Sequence, residues 1–289
     1  MARPVFIIDG SRTPFIKARS GPGPFTPVDL AVQCGRPLLA RQPFAPTAFD
    51  QVILGCVNVI ADEMNPARVA ALRLGMGERM VAFTVQINCG SGMQSIDTAY
   101  RYIREGAGNL ILAGGAEALS HAPLVWPQAG VRWFAGLAGA RGIGAKIMAA
   151  LKVRPSYLKP IIGLERGLTD PITELNMGQT AEVVGQLFGI TREQSDAYAA
   201  ESHHRLAHAQ KEGFLKGELE TAFSRDGKFY DYDDGVRPDS TAESLAKLKP
   251  VFERPWGQVT AGNSSQITDG ASWVILASEE AVVKHGLTP

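Results

Sequence analysis

The sequence predicts an α/β fold, a sheet covered by helices on both faces. Short apolar runs of strand length alternate with runs of helical period, and capping residues stand at the joins. Val5-Phe6-Ile7-Ile8 reads as a buried strand, closed by the turn-forming pair Asp9-Gly10 and then Pro14. Asp29 to Ala40 has helical spacing, with Leu30, Ala31, Cys34, Leu38 and Leu39 on one side. Val52-Ile53-Leu54-Gly55 gives a second strand. Asn65-Pro66 then opens a helix that Gly75 stops, with asparagine as cap and proline at the first helical position. Val81 to Ile87 is a third strand, and it delivers the chain to Cys89. From Ser91 the period becomes helical through Met93, Ile96, Ala99 and Ile103, and Gly106 ends it. Leu110 to Ala113 is a further strand, followed by the glycines Gly114-Gly115, read as a turn. The strand pattern returns near the end of the chain at Val259 and Trp273-Val274-Ile275-Leu276, and a short helix closes it.

The character changes near His121. Pro123 to Leu175 is rich in proline, glycine and aromatics, with basic residues at Arg132, Arg141, Lys146, Lys152 and Arg154. Two clear helices come next. One runs from Met177 to Phe188 and stops at Gly189; the other opens with the capping-box pattern Thr191-Arg192-Glu193-Gln194 and runs to Gly213. Residues 1–121 and 246–289 are therefore expected to form the α/β domain, with 122–245 inserted into it as a mainly helical lobe.

At 289 residues and 45% hydrophobic content the chain can bury one large core with an appended lobe, or two domains. Its 29 basic and 29 acidic residues cancel, so the total charge gives no reason for a nucleic-acid or anionic-membrane partner. Cys34, Cys56 and Cys89 are too widely spaced for a disulfide framework or a metal-ligand pattern, so no metal is expected. No signal-peptide layout or uncharged membrane-length run is present, and a cytoplasmic location is the default expectation.

Cys89 lies on the step from a buried strand into a helix, flanked by Gly90 and Gly92. A helix N-terminus presents unpaired N–H groups and a partial positive charge, which stabilise a thiolate and can also hold an oxyanion when that thiolate attacks a carbonyl. The glycines keep side chains away from an approaching substrate. The segment alone also allows a buried cysteine at a tight turn. A phosphate cradle fits poorly, because the Gly-Lys-Ser/Thr tail of a P-loop is missing. A nucleophilic cysteine needs a base. His203, His204 and His208 sit on a polar helix, His285 at a helix C-terminus, and His121 has nothing that pairs it with Cys89. The sequence thus offers a nucleophile and no convincing base.

The ordered motifs resemble the thiolases, acetyl-CoA acyltransferases and acetyltransferases. They are Asp9-Gly10-Ser11-Arg12-Thr13-Pro14-Phe15, Asn65-Pro66-Ala67-Arg68, Asn88-Cys89-Gly90-Ser91-Gly92-Met93 and Ala113-Gly114-Gly115-Ala116-Glu117. Met177-Gly178-Gln179-Thr180-Ala181-Glu182, Lys247 to Phe252, and Val259 to Ser265 with Asp269-Gly270-Ala271 extend the likeness across the chain. The resemblance implies a thiolase-like fold of two similar halves. The chain is expected to hold the first half, a mixed five-stranded sheet with helices on both faces, plus the inserted loop domain, and not the second half. It implies that Cys89 takes the acyl group from a 3-ketoacyl-CoA and passes it to CoA, a substrate here and not a bound cofactor. Arg237 and Ser244 would approach the adenosine end of CoA, Phe252, Ala261 and Ser265 would line the pantetheine channel, and Met177 would lie near the acyl end. From the residues alone, Arg237 is a solvated arginine, Ser265 a turn former, and Phe252 and Met177 core.

The departures are informative. The family's Gly-His-Pro histidine, Asn-Glu-Ala-Phe motif and Cys-x-Gly cysteine do not occur, so these residues alone are expected to be inactive. Trp273 stands where small residues are usual. The stretch 124–170 is similar to the fatty-acid-oxidation thiolases that pair with a multifunctional α-subunit. An exposed apolar face left by the missing half would favour association, as a homodimer or tetramer. Two other readings stand beside the thiolase: a non-catalytic CoA-binding or assembly module, and a condensing enzyme of the ketosynthase type.

Overall fold

The computed structural model describes residues 3–289, and these pack as two compact units, one of residues 3–121 with 190–289 and one of 122–189. The first unit is built on strands β1 (Val5–Arg12), β2 (Ile16–Lys17), β3 (Gln51–Gly55), β4 (Val81–Val85), β5 (Leu110–Ala118) and β6 (Thr268–Ser278). Their order is β1-β6-β5-β3-β4, with the two-residue β2 added on β6. β6 runs antiparallel to β1 and β5, whereas β5, β3 and β4 are parallel. The sheet is therefore mixed, as the family resemblance implies.

Two apolar layers follow from the alternation of side chains along each strand. Val52, Leu54, Leu110, Leu112, Trp273 and Ile275 face helices α1 (Pro27–Ala40) and α2 (Pro66–Arg73). Ile53, Ile111, Ala113 and Leu276 face α3 (Ser91–Glu105), which returns Ala99 and Ile103. Helices on both faces explain why the central strands read as continuous apolar runs. Thr26 and Asp29 form a capping box at the start of α1, Asn65 accepts from the Arg68 N–H at the start of α2, and Gly106 closes α3 in the left-handed region at φ 79°.

Three local expectations are corrected. Asp9-Gly10 is no turn: β1 continues to Arg12, with a bulge between Ile7 and Asp9. The Asp9 carboxylate accepts from Arg41 and Gln42. Partial burial pushes its pKa up, but these bonds outweigh that and hold it below the usual carboxylate value. Gly114-Gly115 is no turn either, because β5 runs through both. Each glycine permits a close approach: a Cβ on Gly114 would run into the Ser272 carbonyl, and one on Gly115 would sit 3.2 Å from the Gly92 Cα. Val259 lies in irregular chain, tied to Val251 through the Val251 N–H.

Trp273 is accommodated by glycines. Its ring is fully buried, its indole N–H donates to the Ala31 carbonyl at 2.8 Å, and Gly35 and Gly114 leave it room.

Residues 190–245, which the sequence places in the inserted lobe, pack with the sheet unit. This unit also contains helices α8 (Arg192–Glu212), α9 (Ala242–Ala246) and α10 (Glu279–His285). Arg12 grips Asp233 through two bonds of 2.8 and 3.0 Å and also reaches Glu218, and Arg41 pairs with Glu220. The inserted sequence is thus longer than the segment that packs on its own. That segment, residues 122–189, contains α4 (Gln128–Gly139), α5 (Ile143–Ala150), α6 (Gly163–Gly167) and α7 (Met177–Leu187), with a short hairpin of Leu124–Val125 on Ile161–Ile162. The Trp133 indole N–H donates to the Ala149 carbonyl and holds α5 on α4.

Candidate active site

Cys89 is placed by a five-residue crossing from β4 to α3. Asn88 takes a left-handed backbone at φ 54°, a conformation asparagine tolerates better than most residues. The Ser91 hydroxyl accepts from the Ile87 N–H at 2.9 Å and donates to the Asn88 carbonyl at 2.6 Å, while the Gly90 and Ser91 N–H groups donate to Ile87 and Asn88. These bonds fold the backbone back on itself and leave the Cys89 side chain exposed.

The helix start is pinned to the sheet by contacts that only glycine permits. A Cβ at Gly55 on β3 would collide with the Ser91 backbone, and Gly115 on β5 faces Gly92. Ser95, fully buried one turn along, has its hydroxyl 2.7 Å from both the Gly92 and the Gly114 carbonyls. The Gly92 and Met93 N–H groups precede the Gln94-to-Gly90 bond of the first turn, so they are the helix-end donors beside Cys89.

The three cysteines divide cleanly. Cys34 is buried and donates to helix carbonyls, and burial pushes its thiol up to about 12. Cys56 is buried beside Glu117 and Glu63, and burial followed by those charges pushes it up to about 12 as well. Only Cys89 combines exposure with a helix N-terminus.

Among the described residues no histidine hydrogen-bonds Cys89. His121 Nε2 lies 2.9 Å from the Gly23 carbonyl, and His285 packs on Phe44. His203 accepts the Arg237 N–H at 3.2 Å, so it does more than face solvent; burial, then the Arg237 charge, lowers its pKa.

Arg237, Ser244, Phe252, Ala261 and Ser265 all lie at the surface of the sheet unit. Among the described residues the Arg237 guanidinium makes no ion pair, which leaves it free for an anion. Ser244 already serves the capping box of α9: its N–H donates to the Thr241 hydroxyl and its own hydroxyl takes the Thr241 N–H. The Ser265 hydroxyl donates to the Gln266 carbonyl at 3.3 Å. Met177 belongs to the other unit, exposed in the first turn of α7 after the Asn176–Gln179 capping box.

What assembles this surface was missed in the sequence. Arg192 on α8 donates to the Leu245 and Leu248 carbonyls at the end of α9 and to Asp196 at 2.7 Å, and Asp196 accepts from the Asn263 amide at 2.9 Å. Asn263 in turn accepts the Thr260 N–H, and Gly262 fits against Leu245 and Leu248. A buried bracket, Arg192–Asp196–Asn263, therefore fixes the segments that carry Ser244, Ala261 and Ser265. The i, i+4 spacing of Arg192 and Asp196 was the available signal. Glu117 was missed too: its carboxylate accepts the Val57 and Asn58 N–H groups at 2.9 Å and holds the loop after Gly55, and burial raises its pKa.

Two clefts, of about 250 and 110 Å³, are lined by residues around Asp9 and Leu287 and around Asp50 and His285, and neither includes the Cys89 loop.

The family model for the thiolase N-terminal domain matches residues 5–280. A beta-ketoadipyl-CoA thiolase of Pseudomonas aeruginosa is 38% identical over 294 residues, covering 100% of this chain and 69% of that protein. A 3-ketoacyl-CoA thiolase of Escherichia fergusonii is 34% identical over 286 residues, covering 99% of this chain and 65% of that one. Among solved structures, human mitochondrial 3-ketoacyl-CoA thiolase in complex with CoA superposes with a TM-score of 0.84 at 33% identity, covering 100% of this chain and 69% of that one. The chain spans 65 to 69% of the length of these relatives. Matched across nearly its whole length in sequence and backbone, the chain belongs to the thiolase family.

Proposed function

We propose that the chain carries the nucleophile and most of the CoA site of a 3-ketoacyl-CoA thiolase. The observation that carries this reading is the exposed Cys89 on a glycine-walled helix start, beside two buried cysteines whose thiols resist ionisation.

The Cys89 thiolate attacks the C3 carbonyl of the 3-ketoacyl-CoA, and the Gly92 and Met93 N–H groups at the start of α3 receive the oxyanion. The C2–C3 bond breaks as the carbonyl reforms. The acyl group stays on Cys89 Sγ, and the electron pair leaves on acetyl-CoA, which takes a proton. CoA thiolate then attacks the acyl-cysteine, releases the shortened acyl-CoA and restores the Cys89 thiolate. Arg237 meets CoA phosphate, Ser244 lies at the adenosine end, and Phe252, Ala261 and Ser265 flank the pantetheine arm, with Met177 toward the acyl group. CoA is thus a substrate, and no separate cofactor is needed.

Two relatives carry names for 3-ketoacyl and beta-ketoadipyl substrates, which fits a degradative role. A cytoplasmic setting, assembly as a homodimer or tetramer and pairing with a multifunctional β-oxidation subunit complete the reading; the described residues contain no helix long and apolar enough to cross a membrane.

Proton transfer is the weak link. Among the described residues no histidine is partnered to Cys89, and no second cysteine is exposed. These 289 residues are therefore proposed to accept an acyl group without turning over. The same observation favours the second reading, a CoA-binding or assembly module that never acylates. Incubation with acetoacetyl-CoA and CoA separates the outcomes: release of acetyl-CoA that disappears in Cys89→Ser would refute the absence of turnover. CoA binding with no reaction at Cys89 would support the module.

A further inference from the structure

With its guanidinium unpaired, Arg237 depends on its backbone for where its charge can reach. The segment before it is clamped within the sheet unit. The Asp233 carboxylate accepts from the Arg12 guanidinium and the Phe15 N–H, and Asp234 accepts from the Lys17 N–H and from Arg19. The Gly235 carbonyl takes the Gln266 amide at 2.6 Å.

Arg237-Pro238-Asp239-Ser240 then forms a turn, closed by the Ser240 N–H on the Arg237 carbonyl at 3.1 Å, with Arg237, Pro238 and Asp239 exposed. Among the described residues, a single backbone group of this turn bonds to another element. It is the Arg237 N–H, which donates to His203 Nδ1 on α8 at 3.2 Å.

An imidazole accepts only through a nitrogen that carries no proton. Nδ1 is therefore bare, the ring proton sits on Nε2, and the ring is neutral. The surroundings favour that state. Burial, then the charges of Arg237 on the facing turn and of His204 on α8, lower the His203 pKa, and Asp239 on the turn pulls the other way. Protonation would set two N–H groups against each other and release the turn.

We propose that neutral His203 is a positioning residue, holding the Arg237 backbone so that the guanidinium stands ready for a CoA phosphate. The inference rests on the reading of Arg237 as a CoA contact, and it adds a residue that acts through Arg237 and touches no substrate. His204, exposed one position along the same helix, makes no hydrogen bond to the turn among the described residues and has no such role.

Calorimetric titration of the full chain with CoA tests it. At about pH 7.5, His203→Ala should weaken binding about three- to tenfold, and Arg237→Ala about tenfold or more. His203→Asn, whose amide oxygen can take the place of Nδ1, should stay within about twofold of the unaltered chain, and His204→Ala should match it. In the Arg237→Ala background, His203→Ala should have no further effect. Between about pH 7.5 and about pH 5.5 the unaltered chain should lose more affinity than His203→Asn, in which residue 203 no longer titrates. Circular dichroism should show every variant folded. Equal losses from His203→Ala and His203→Asn, or a full second loss from His203→Ala in the Arg237→Ala background, would overturn the proposal and leave the CoA site standing. A smaller loss at low pH in the unaltered chain than in His203→Asn would also overturn it, since an imidazolium would then be meeting the phosphate directly. CoA binding indifferent to Arg237→Ala would remove the CoA reading of Arg237 and this inference with it.

Discussion

Asp196 holds the Asn263 amide at 2.9 Å with one carboxylate oxygen and the Arg192 guanidinium at 2.7 Å with the other. The carboxylate is buried, so neither bond competes with water. Through this one residue, helix α8 fixes both the end of α9 and the 260–265 segment proposed to flank CoA.

Removing one partner of a buried ion pair leaves the other uncompensated. Asp196→Ala should therefore cost about 3–5 kcal/mol. Asn263→Ala, which strands the Thr260 N–H, should cost about 1–3 kcal/mol. Urea denaturation checks both. If the bracket serves CoA, Asn263→Ala should also weaken CoA binding in calorimetry while leaving alkylation of Cys89 unchanged.

Alkylation should separate the cysteines. Cys34 and Cys56 are buried with thiols pushed up to about 12, so iodoacetamide at neutral to mildly alkaline pH should modify Cys89 alone until the chain unfolds. The same shifts fix a sign for stability. The folded chain keeps these two protons to higher pH than the unfolded chain, whose thiols titrate near the ordinary 9.0. Their contribution is therefore complete below pH 9 and is lost as pH rises toward 12. Urea midpoints for Cys34→Ala with Cys56→Ala should decline less steeply over that window than those of the unaltered chain.

Gly55 carries the start of α3. Gly55→Ala should force the Ser91 backbone away from β3, destabilise the chain by about 1–3 kcal/mol and slow alkylation of Cys89. A matched substitution at Gly136, inside α4 where nothing lies within 4 Å of an added Cβ, should leave the labelling rate unchanged and stabilise the chain by about 0.5–1 kcal/mol through helix propensity. Melting curves and a timed labelling series read both.

Trp273 is the largest fully buried side chain. Trp273→Ala should cost about 3–5 kcal/mol through cavity formation. Trp273→Phe keeps most of the volume and loses the bond to the Ala31 carbonyl, so its cost should be smaller, and denaturant midpoints rank the two.

The sheet was legible in the sequence where burial on both faces made strands continuous apolar runs, as at Val52–Leu54 and Leu110–Ala113. Helix starts were legible through local chemistry: Asn65 and Thr191 each cap as their spacing indicates. The errors fell where tertiary contacts override local signals. Asp9-Gly10 and Gly114-Gly115 look like turns, yet one carries an aspartate needed by Arg41 and the other supplies room for Ser272 and Gly92. Cys89 was legible because strand, glycine and helix are contiguous in sequence. The bracket was not, since Arg192 and Asp196 stand some 70 residues from Asn263 and only the fold joins them.

The central claim is that Cys89 accepts the acyl group. Peptide mass spectrometry after incubation with acetoacetyl-CoA tests it most directly. An acetyl adduct on the peptide bearing Cys89, absent in Cys89→Ser and absent from Cys34 and Cys56, is the predicted result. An unmodified Cys89 in a folded chain that binds CoA, or an adduct that persists in Cys89→Ser, would contradict it.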